Sequence, residues 1–408
     1  MLSGVCCKCL NLLMQIAIMK LQIPKISFDM PITDLIMELE KLRYKDLSGM
    51  TNPLIFNQIR QIFHMLESVG SSRIEGNNTT IMDYVENTKI ETGRQAWHEQ
   101  IKEIRNIEVA MAYIEENIND MPISSMFIRE LHQLTVNDLS YKKEGAAHPG
   151  QFRQHNVRIS GSAHTPPDYT QVDNMMQELI DFINQETAPK YDLLKIAIAH
   201  HRFVWIHPFE NGNGRVVRLF TYAMLLKSVF KSRERIINPT AVFCNNRNEY
   251  YDYLSKADEG TDCGMLQWAE YMLRGLKQEI EKIDKLSDAQ TLREKILLPA
   301  LDDALNRKFI TPEYFAILQV AVKSPNSTIQ SSDLTKVLPG KSSSDRSRAI
   351  KSLVDAHMLA QIKPNARKYY PVFSNNYLLR SILWALDKEG FLPVNSGIDA
   401  VEDTVKKL

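Results

Sequence analysis

His207-Pro208-Phe209-Glu210-Asn211-Gly212-Asn213-Gly214-Arg215-Val216-Val217-Arg218 is the stretch that decides how this chain is read. Pro208 disfavours helix at the residue before it, so a helix arriving from the N-terminal side should end near His207. Gly212 and Gly214 then permit a tight backbone path, and a second helix is expected to begin near Gly212 or Asn213. Free N–H groups at a helix start bind anions, because the unpaired donors and the helix dipole point the same way. Arg215 and Arg218 share a face of that second helix. One short segment thus brings together a histidine, an amide-rich anion pocket and two guanidinium groups. A polyphosphate and an activated hydroxyl need that set.

The flanking sequence reads mostly as helix. Apolar residues recur at helical spacing in residues 31–45 (Ile32, Leu35, Ile36, Leu39, Leu42) and 53–69 (Ile55, Ile59, Ile62, Phe63, Leu66). Helices are also expected over residues 80–92, 95–117, 124–140, 168–186, 190–205, 218–230, 247–257, 265–286 and 291–305. Between Gly145 and Pro167 the texture changes, and the alternation at Val157-Arg158-Ile159 before Gly161 suggests a short β-hairpin. Near the C-terminus, residues 312–322, 331–338 and 345–357 read as three short helices, and residues 358–373 alternate around Pro364-Asn365. Three helices and a hairpin resemble a winged helix, expected to fold alone.

The motif around His207 resembles the signature of the Fic family, His-Pro-Phe-x-(Asp/Glu)-Gly-Asn-Gly-Arg-x-x-Arg. It departs at one specified position, where Asn211 replaces the acidic residue. Gly150-Gln151-Phe152-Arg153, with Val157, Ile159, Gly161 and Pro166-Pro167, is similar to the family's flap hairpin. His200, Phe203 and Ile206 fall in the helix before the motif. Tyr250-Tyr251-Asp252-Tyr253-Leu254, with Ala257-Asp258, is similar to the adenine-pocket helix. The resemblance covers residues 60–280. It implies a mainly α fold: a Fic helical core with a short β-hairpin flap, followed here by the C-terminal winged-helix-like domain.

The resemblance also implies roles. The activity would be protein adenylyl transfer, moving AMP from ATP to a Ser, Thr or Tyr hydroxyl of a target protein, with self-modification left open. His207 would be the general base, and Phe209 would anchor the loop. Gly212, Asn213 and Gly214 would line the phosphate pocket. Arg215 would hold the α- and β-phosphates and Arg218 the γ-phosphate. Tyr250 and Tyr251 are candidates for the nucleotide pocket, or plain core aromatics. Position 211 normally helps to hold Mg²⁺, so Asn211 is the metal candidate. The flap would hold the target backbone by strand addition.

Upstream, Ser71-Ser72-Arg73-Ile74-Glu75-Gly76-Asn77 is similar to the family's inhibitory motif, (Ser/Thr)-x-x-x-Glu-(Gly/Asn). Its place before the catalytic motif matches the class with an N-terminal inhibitory helix. A glutamate reaching Arg218 would occupy the γ-phosphate's partner with a charge-assisted pair. Taken without the Fic motif, Glu75 reads as the end of a surface helix.

Composition excludes other classes. The chain has 408 residues, 44% apolar and 24% charged, with 49 basic and 49 acidic side chains, so it has no overall basic signature for nucleic acid. Lys341, Arg346, Arg348, Lys351, Arg367 and Lys368 only partly supply a DNA-binding surface, and Asp333, Asp345 and Asp355 dilute it. Cys6, Cys7, Cys9, Cys244 and Cys263 form no disulfide framework, which fits a reducing cytoplasm. No apolar run reaches the length of a membrane span. His200, His201 and His207 lack His-Glu-x-x-His spacing, and no P-loop Lys-Ser/Thr follows the glycines. His200 reads as a hydrogen-bonded core histidine.

The expected organisation is a leader at residues 1–30, then a helical region with the inhibitory motif at 31–120. The catalytic core spans 121–285, and a linker helix with the winged-helix-like domain spans 286–408. Oligomeric state is open. Asn211 keeps a second reading open, in which the Fic core has lost catalysis and the C-terminal module binds DNA or a partner.

Overall fold

A computed structural model describes residues 21–45, 51–90, 98–230, 236, 239–374 and 377–392. The expected leader falls, up to residue 20, outside the described residues. The described helices are α1 (Pro31–Arg43), α2 (Pro53–Ile74), α3 (Ile81–Val85), α4 (Glu99–Asn117), α5 (Ser125–Thr135), α6 (Val172–Asn184), α7 (Asp192–Ile206), α8 (Asn213–Met224), α9 (Pro239–Asn245), α10 (Arg247–Asp258) and α11 (Asp262–Asp284). After a one-turn piece and a π-turn come α12 (Leu298–Asn306), α13 (Pro312–Lys323) and α14 (Ser343–Asp355). The antiparallel pair β1 (Leu359–Gln361) and β2 (Tyr369–Pro371) follows, in the register Leu359↔Pro371, and then α15 (Leu378–Lys388). The fold is mainly α with one two-stranded sheet.

Local chemistry explains the helix that matters most upstream. α2 starts where the Asn52 side chain accepts from Leu54 N at 2.8 Å and Pro53 supplies a preset φ. It stops at Gly76, whose φ of 103° is left-handed and suits glycine. Ser71 and Glu75 therefore sit on its last turn and C-cap.

Two apolar clusters organise the packing. One gathers α1, the second half of α4, and α5 to α8 with α10 and α11, around Phe203, Phe209 and Phe220. The other joins most of α2 to α3, α12, α13, α14, the hairpin and α15. The C-terminal elements thus share a core with the helix that carries Ser71. Gln58 of α2 fixes the junction: its Nε2 donates to Pro371 O at 3.0 Å and its Oε1 accepts from Phe373 N at 2.7 Å. The C-terminal stretch thus packs its apolar face on α2 as well as on itself.

Some expected elements differ. Residues 151–167 form a loop with a turn at 159–162 rather than paired strands. Backbone pairs that would zip such a hairpin are replaced by side-chain bonds from Arg153 and Asn156. The helix expected over 80–92 is α3 followed by a π-turn to residue 90, with 91–97 outside the described residues. The helix expected over 124–140 ends at Thr135, and Asp138 has a positive φ of 54°. In the segment 331–338 only Ser331–Thr335 is helical, as a short 3₁₀ turn.

Candidate active site

α7 and α8 form the central pair, and the loop between them carries the motif. The helix before it ends at Ile206, with His207 as its cap in a left-handed conformation (φ 51°, ψ 61°). The next helix begins at Asn213, after Gly212 at φ 77°. Phe209 is fully buried and stacks on His132 with ring centroids 3.8 Å apart. The Asn213 side chain closes the loop on itself, accepting from Phe209 N and donating to Phe209 O, both at 2.9 Å. Asn213 thus closes the loop with its side chain, while the first-turn N–H groups of α8 have no intrahelical acceptors.

Both arginines are buried, and carboxylates already meet them. Arg218 Nη2 donates to Glu75 Oε1 at 2.7 Å and to Ser71 O at 2.9 Å, and Arg218 Nε donates to Ser71 Oγ at 2.8 Å. The expected inhibitory residues and the expected γ-phosphate arginine are therefore in direct contact. Burial pushes the Glu75 carboxyl up, but Arg218, Arg215 and Arg247 outweigh it and hold it below the usual range. A Cβ on Gly214 would lie 2.0 Å from Glu75 Oε1, so the carboxylate rests against the first turn of α8.

Arg215 has its own partners. Its Nη1 lies 3.1 Å from Glu103 Oε1, and its Nη2 donates to Glu144 O and Oε2, both at 2.9 Å. Its Nε is buried without a hydrogen bond. Glu103 is also bonded by Asn77 Nδ2 at 2.8 Å, just beyond the end of α2. Burial raises the Glu103 pKa, against the pull of Arg215.

Burial pushes the His207 imidazole down to about 4, so it is neutral at physiological pH. Its Nδ1 is buried, and Glu75 is near enough to act electrostatically on both His207 and Arg218. The histidine, the two arginines and Glu75 thus form one group.

The remaining candidates divide. Asn211 Nδ2 donates to Gly145 O at 2.8 Å and Lys143 O at 3.3 Å, holding the loop that carries Glu144. Its Oδ1 is the oxygen it can offer a cation, and neighbouring Glu210 lies 3.4 Å from His155 Nδ1. No cluster of three or more His, Cys, Asp or Glu suited to a metal occurs among the described residues. Tyr250 is buried, with its hydroxyl on His200 Nε2 at 2.9 Å, so it is a core aromatic. Tyr251 is 40% exposed, with Arg247 over its ring, and is the tyrosine of the pair able to meet a ligand. His200 also contacts Thr221 Oγ1 at 2.7 Å and is a core histidine, as its sequence context suggests.

Sequence reasoning missed His132, Glu103 and Glu144, and gave Asn77 no role of its own. His132 Nδ1 accepts from Gly150 N at 2.9 Å and its Nε2 faces Asn211 O at 3.2 Å, linking the start of the 151–167 loop to the motif. The available signal was polarity in the wrong place: His132 and Glu103 lie on otherwise apolar helix faces beside Leu131, Ile104 and Ile107. Glu144 sits in a charged turn with no pattern around it.

A profile of the Fic/DOC family matches residues 122–225. The chain is 30% identical over 201 residues to "Protein adenylyltransferase Fic" of Drosophila willistoni, covering 48% of this chain and 37% of that protein. It is 31% identical over 205 residues to the protein of the same name from Aedes aegypti, covering 49% and 37%. The match thus spans well under half the length of these relatives. In fold, the structure is similar to a Fic family protein from Desulfovibrio desulfuricans G20, with a TM-score of 0.50 at 20% identity, covering 86% of this chain and 98% of that one. No helix among the described residues is long and apolar enough to cross a membrane. The motif, its geometry and these likenesses agree on one region: residues 122–225 are similar to the Fic/DOC family.

Proposed function

We propose that this protein is an adenylyltransferase that moves AMP from ATP to a Ser, Thr or Tyr hydroxyl of a target protein, and that Glu75 inhibits it. The observation that carries the reading is the Glu75 carboxylate on Arg218 against the first turn of α8. An anion already occupies the place that the motif's chemistry suits to a phosphate. The adenylyltransferase names of the relatives support the reaction.

The target hydroxyl oxygen attacks the α-phosphorus, and the bond from that phosphorus to the bridging oxygen of pyrophosphate breaks. His207 takes the hydroxyl proton; its burial-lowered pKa keeps the imidazole free to accept it. Arg215 and Arg218 offset charge on the departing pyrophosphate, as donors fixed in place before the reaction. The buried, unbonded Arg215 Nε suits an additional acceptor such as a phosphate oxygen. Glu75 must leave Arg218 for the γ-phosphate to bind there.

Mg²⁺ binds few protein ligands and keeps waters and phosphate oxygens, so one neutral oxygen from Asn211 fits a metal held chiefly by the nucleotide. When bound, the cation offsets phosphate charge.

Transfer of label from α-labelled ATP, read as self-modification of a Glu75→Gly protein, tests the reading. Labelling is expected, and adding His207→Ala should cut it by about 10²–10⁴-fold. Absence of labelling in Glu75→Gly, or full labelling without His207, would sink it. Cytoplasmic location and a target presented by another protein belong to the same proposal.

A further inference from the structure

We infer that Arg153 is the positioning residue for His207, and that it joins the histidine's backbone to both ends of the loop at residues 155–167. The inference rests on the general-base role proposed for His207.

Arg153 is 3% exposed, and Asp168 acts on it electrostatically. Burying a guanidinium is costly unless its donors are used. Here backbone carbonyls use them. Nε donates to His207 O at 2.9 Å, Nη1 to His155 O at 3.0 Å, and Nη2 to Pro167 O at 2.6 Å and Ile206 O at 3.4 Å. The backbone N of Arg153 donates to Pro208 O at 2.9 Å. One residue thus takes the carbonyls of three successive positions, 206 to 208, at the end of α7.

That end needs such a partner for two reasons. The last carbonyls of a helix lack intrahelical donors and form the negative end of its dipole, where a cation is favoured. Moreover, His207 has a φ of 51°, which an L-residue with a side chain adopts at a cost. Pro208 after it favours extended backbone, so neither local rule supports the observed conformation. A strained residue persists where its surroundings over-determine it. The Arg153 fork, planar and fixed in geometry, supplies that constraint by gripping the carbonyl of the strained residue itself.

The same fork holds His155 O and Pro167 O, which flank the loop that resembles the family's flap. Phe152, next in sequence, packs on Phe209 of the motif with ring centroids 5.3 Å apart. Arg153 therefore spans the base and the proposed target-holding segment, while making no contact with Arg215, Arg218 or Glu75. A positioning role through His207 should lower turnover and leave nucleotide binding alone.

The test compares Arg153→Lys and Arg153→Gln, each in the Glu75→Gly background, with Glu75→Gly as parent and His207→Ala in that background as reference. ATP affinity is measured by titration, and self-labelling from α-labelled ATP gives the maximal rate. Lysine keeps the charge and glutamine keeps a neutral donor, but neither reproduces the fork. Both variants should bind ATP within about twofold of the parent, and both should label about a hundredfold more slowly, the scale expected when a reacting group is displaced by about an ångström. Labelling at the parent's rate by either variant would overturn the inference. So would loss of ATP binding in both, because Arg153 would then support the fold as a whole. An unlabelled parent, or a His207→Ala reference that labels fully, would instead refute the proposed function.

Discussion

Glu75 Oε1 lies 2.7 Å from Arg218 Nη2, while Ser71, one turn back on the same helix, takes two more hydrogen bonds from that guanidinium. The end of α2 therefore grips the arginine through both a charge and a neutral cradle. Hydrogen bonds to charged groups contribute about 1.5–3 kcal/mol. Removing the charge should free Arg218 for phosphate, so Glu75→Gly is expected to raise self-labelling by about ten- to a hundredfold. Arg218→Ala should not mimic it, because the phosphate partner is lost with the inhibitor's. Unchanged ATP affinity together with unchanged labelling in Glu75→Gly would end the inhibitory reading.

Two turns earlier on α2, Glu67 is buried, with Oε1 accepting from Thr240 N at 2.8 Å and Oε2 without a hydrogen bond. Burial pushes its pKa from 4.5 up to about 8. Below pH 4.5 both folded and unfolded chains hold the proton. Between about 4.5 and 8 the unfolded chain loses it and the folded one keeps it, so folding stability falls as pH rises through that window and levels above it. The slope from this group is at most about 1.4 kcal/mol per pH unit. Glu67→Gln keeps an acceptor for Thr240 and removes the proton. Thermal unfolding from pH 5 to 8 should show wild type losing melting temperature relative to the variant. Parallel profiles would mean that Glu67 is ionised in the fold.

The C-terminal stretch carries a prediction of its own. Ile55, Ile59 and Phe63 of α2 belong to the same core as Ile317, Leu353 and Phe373. An isolated fragment of residues 310–408 would expose that face and lose the Gln58 junction. It should unfold without a cooperative transition, and a chain that retains residues 51–90 should restore one. Duplex DNA binding should be weak for a different reason: Lys341 pairs with Glu313, Arg348 with Asp345, and Arg346 bonds Lys341 O. Cooperative melting of the fragment, or tight salt-dependent DNA binding by the full chain, would contradict these two expectations in turn.

The helix, loop and helix around His207 are legible in the sequence because proline and glycine constrain the backbone locally. The contact of Ser71 and Glu75 with Arg218 is legible only through resemblance, since 143 residues separate Glu75 from its partner and no local rule spans that distance. Glu103 and Glu144 stay hidden for the same reason: their meaning lies in Arg215, which reaches them from another helix. The hairpin expected near Val157 fails because alternation alone does not pair strands. Arg153 and Asn156 use side chains where a ladder would use backbone. The helix Leu378–Lys388 was readable, with Leu379, Ile382, Leu383 and Leu386 on one face, yet was not among the expected elements.

Asn211 is where chemistry and packing pull in different directions. An aspartate there would bring a charged oxygen that Mg²⁺ prefers. It would also lose the two donors that Asn211 Nδ2 gives to Gly145 O and Lys143 O, and set a carboxylate against those carbonyls. Leaving such acceptors unpaired costs about 1–3 kcal/mol. The loop so loosened carries Glu144, which holds Arg215. Asn211→Asp in the Glu75→Gly background should therefore lower the Mg²⁺ concentration for half-maximal labelling and lower the melting temperature together. The asparagine protein should still label, at higher Mg²⁺, since a neutral carbonyl oxygen remains a ligand. A metal titration of both proteins, with melting curves at each point, separates the two effects. Suppose that the asparagine protein labels at no Mg²⁺ concentration and the aspartate protein labels fully. The natural residue would then disable transfer, and the chain would act through binding.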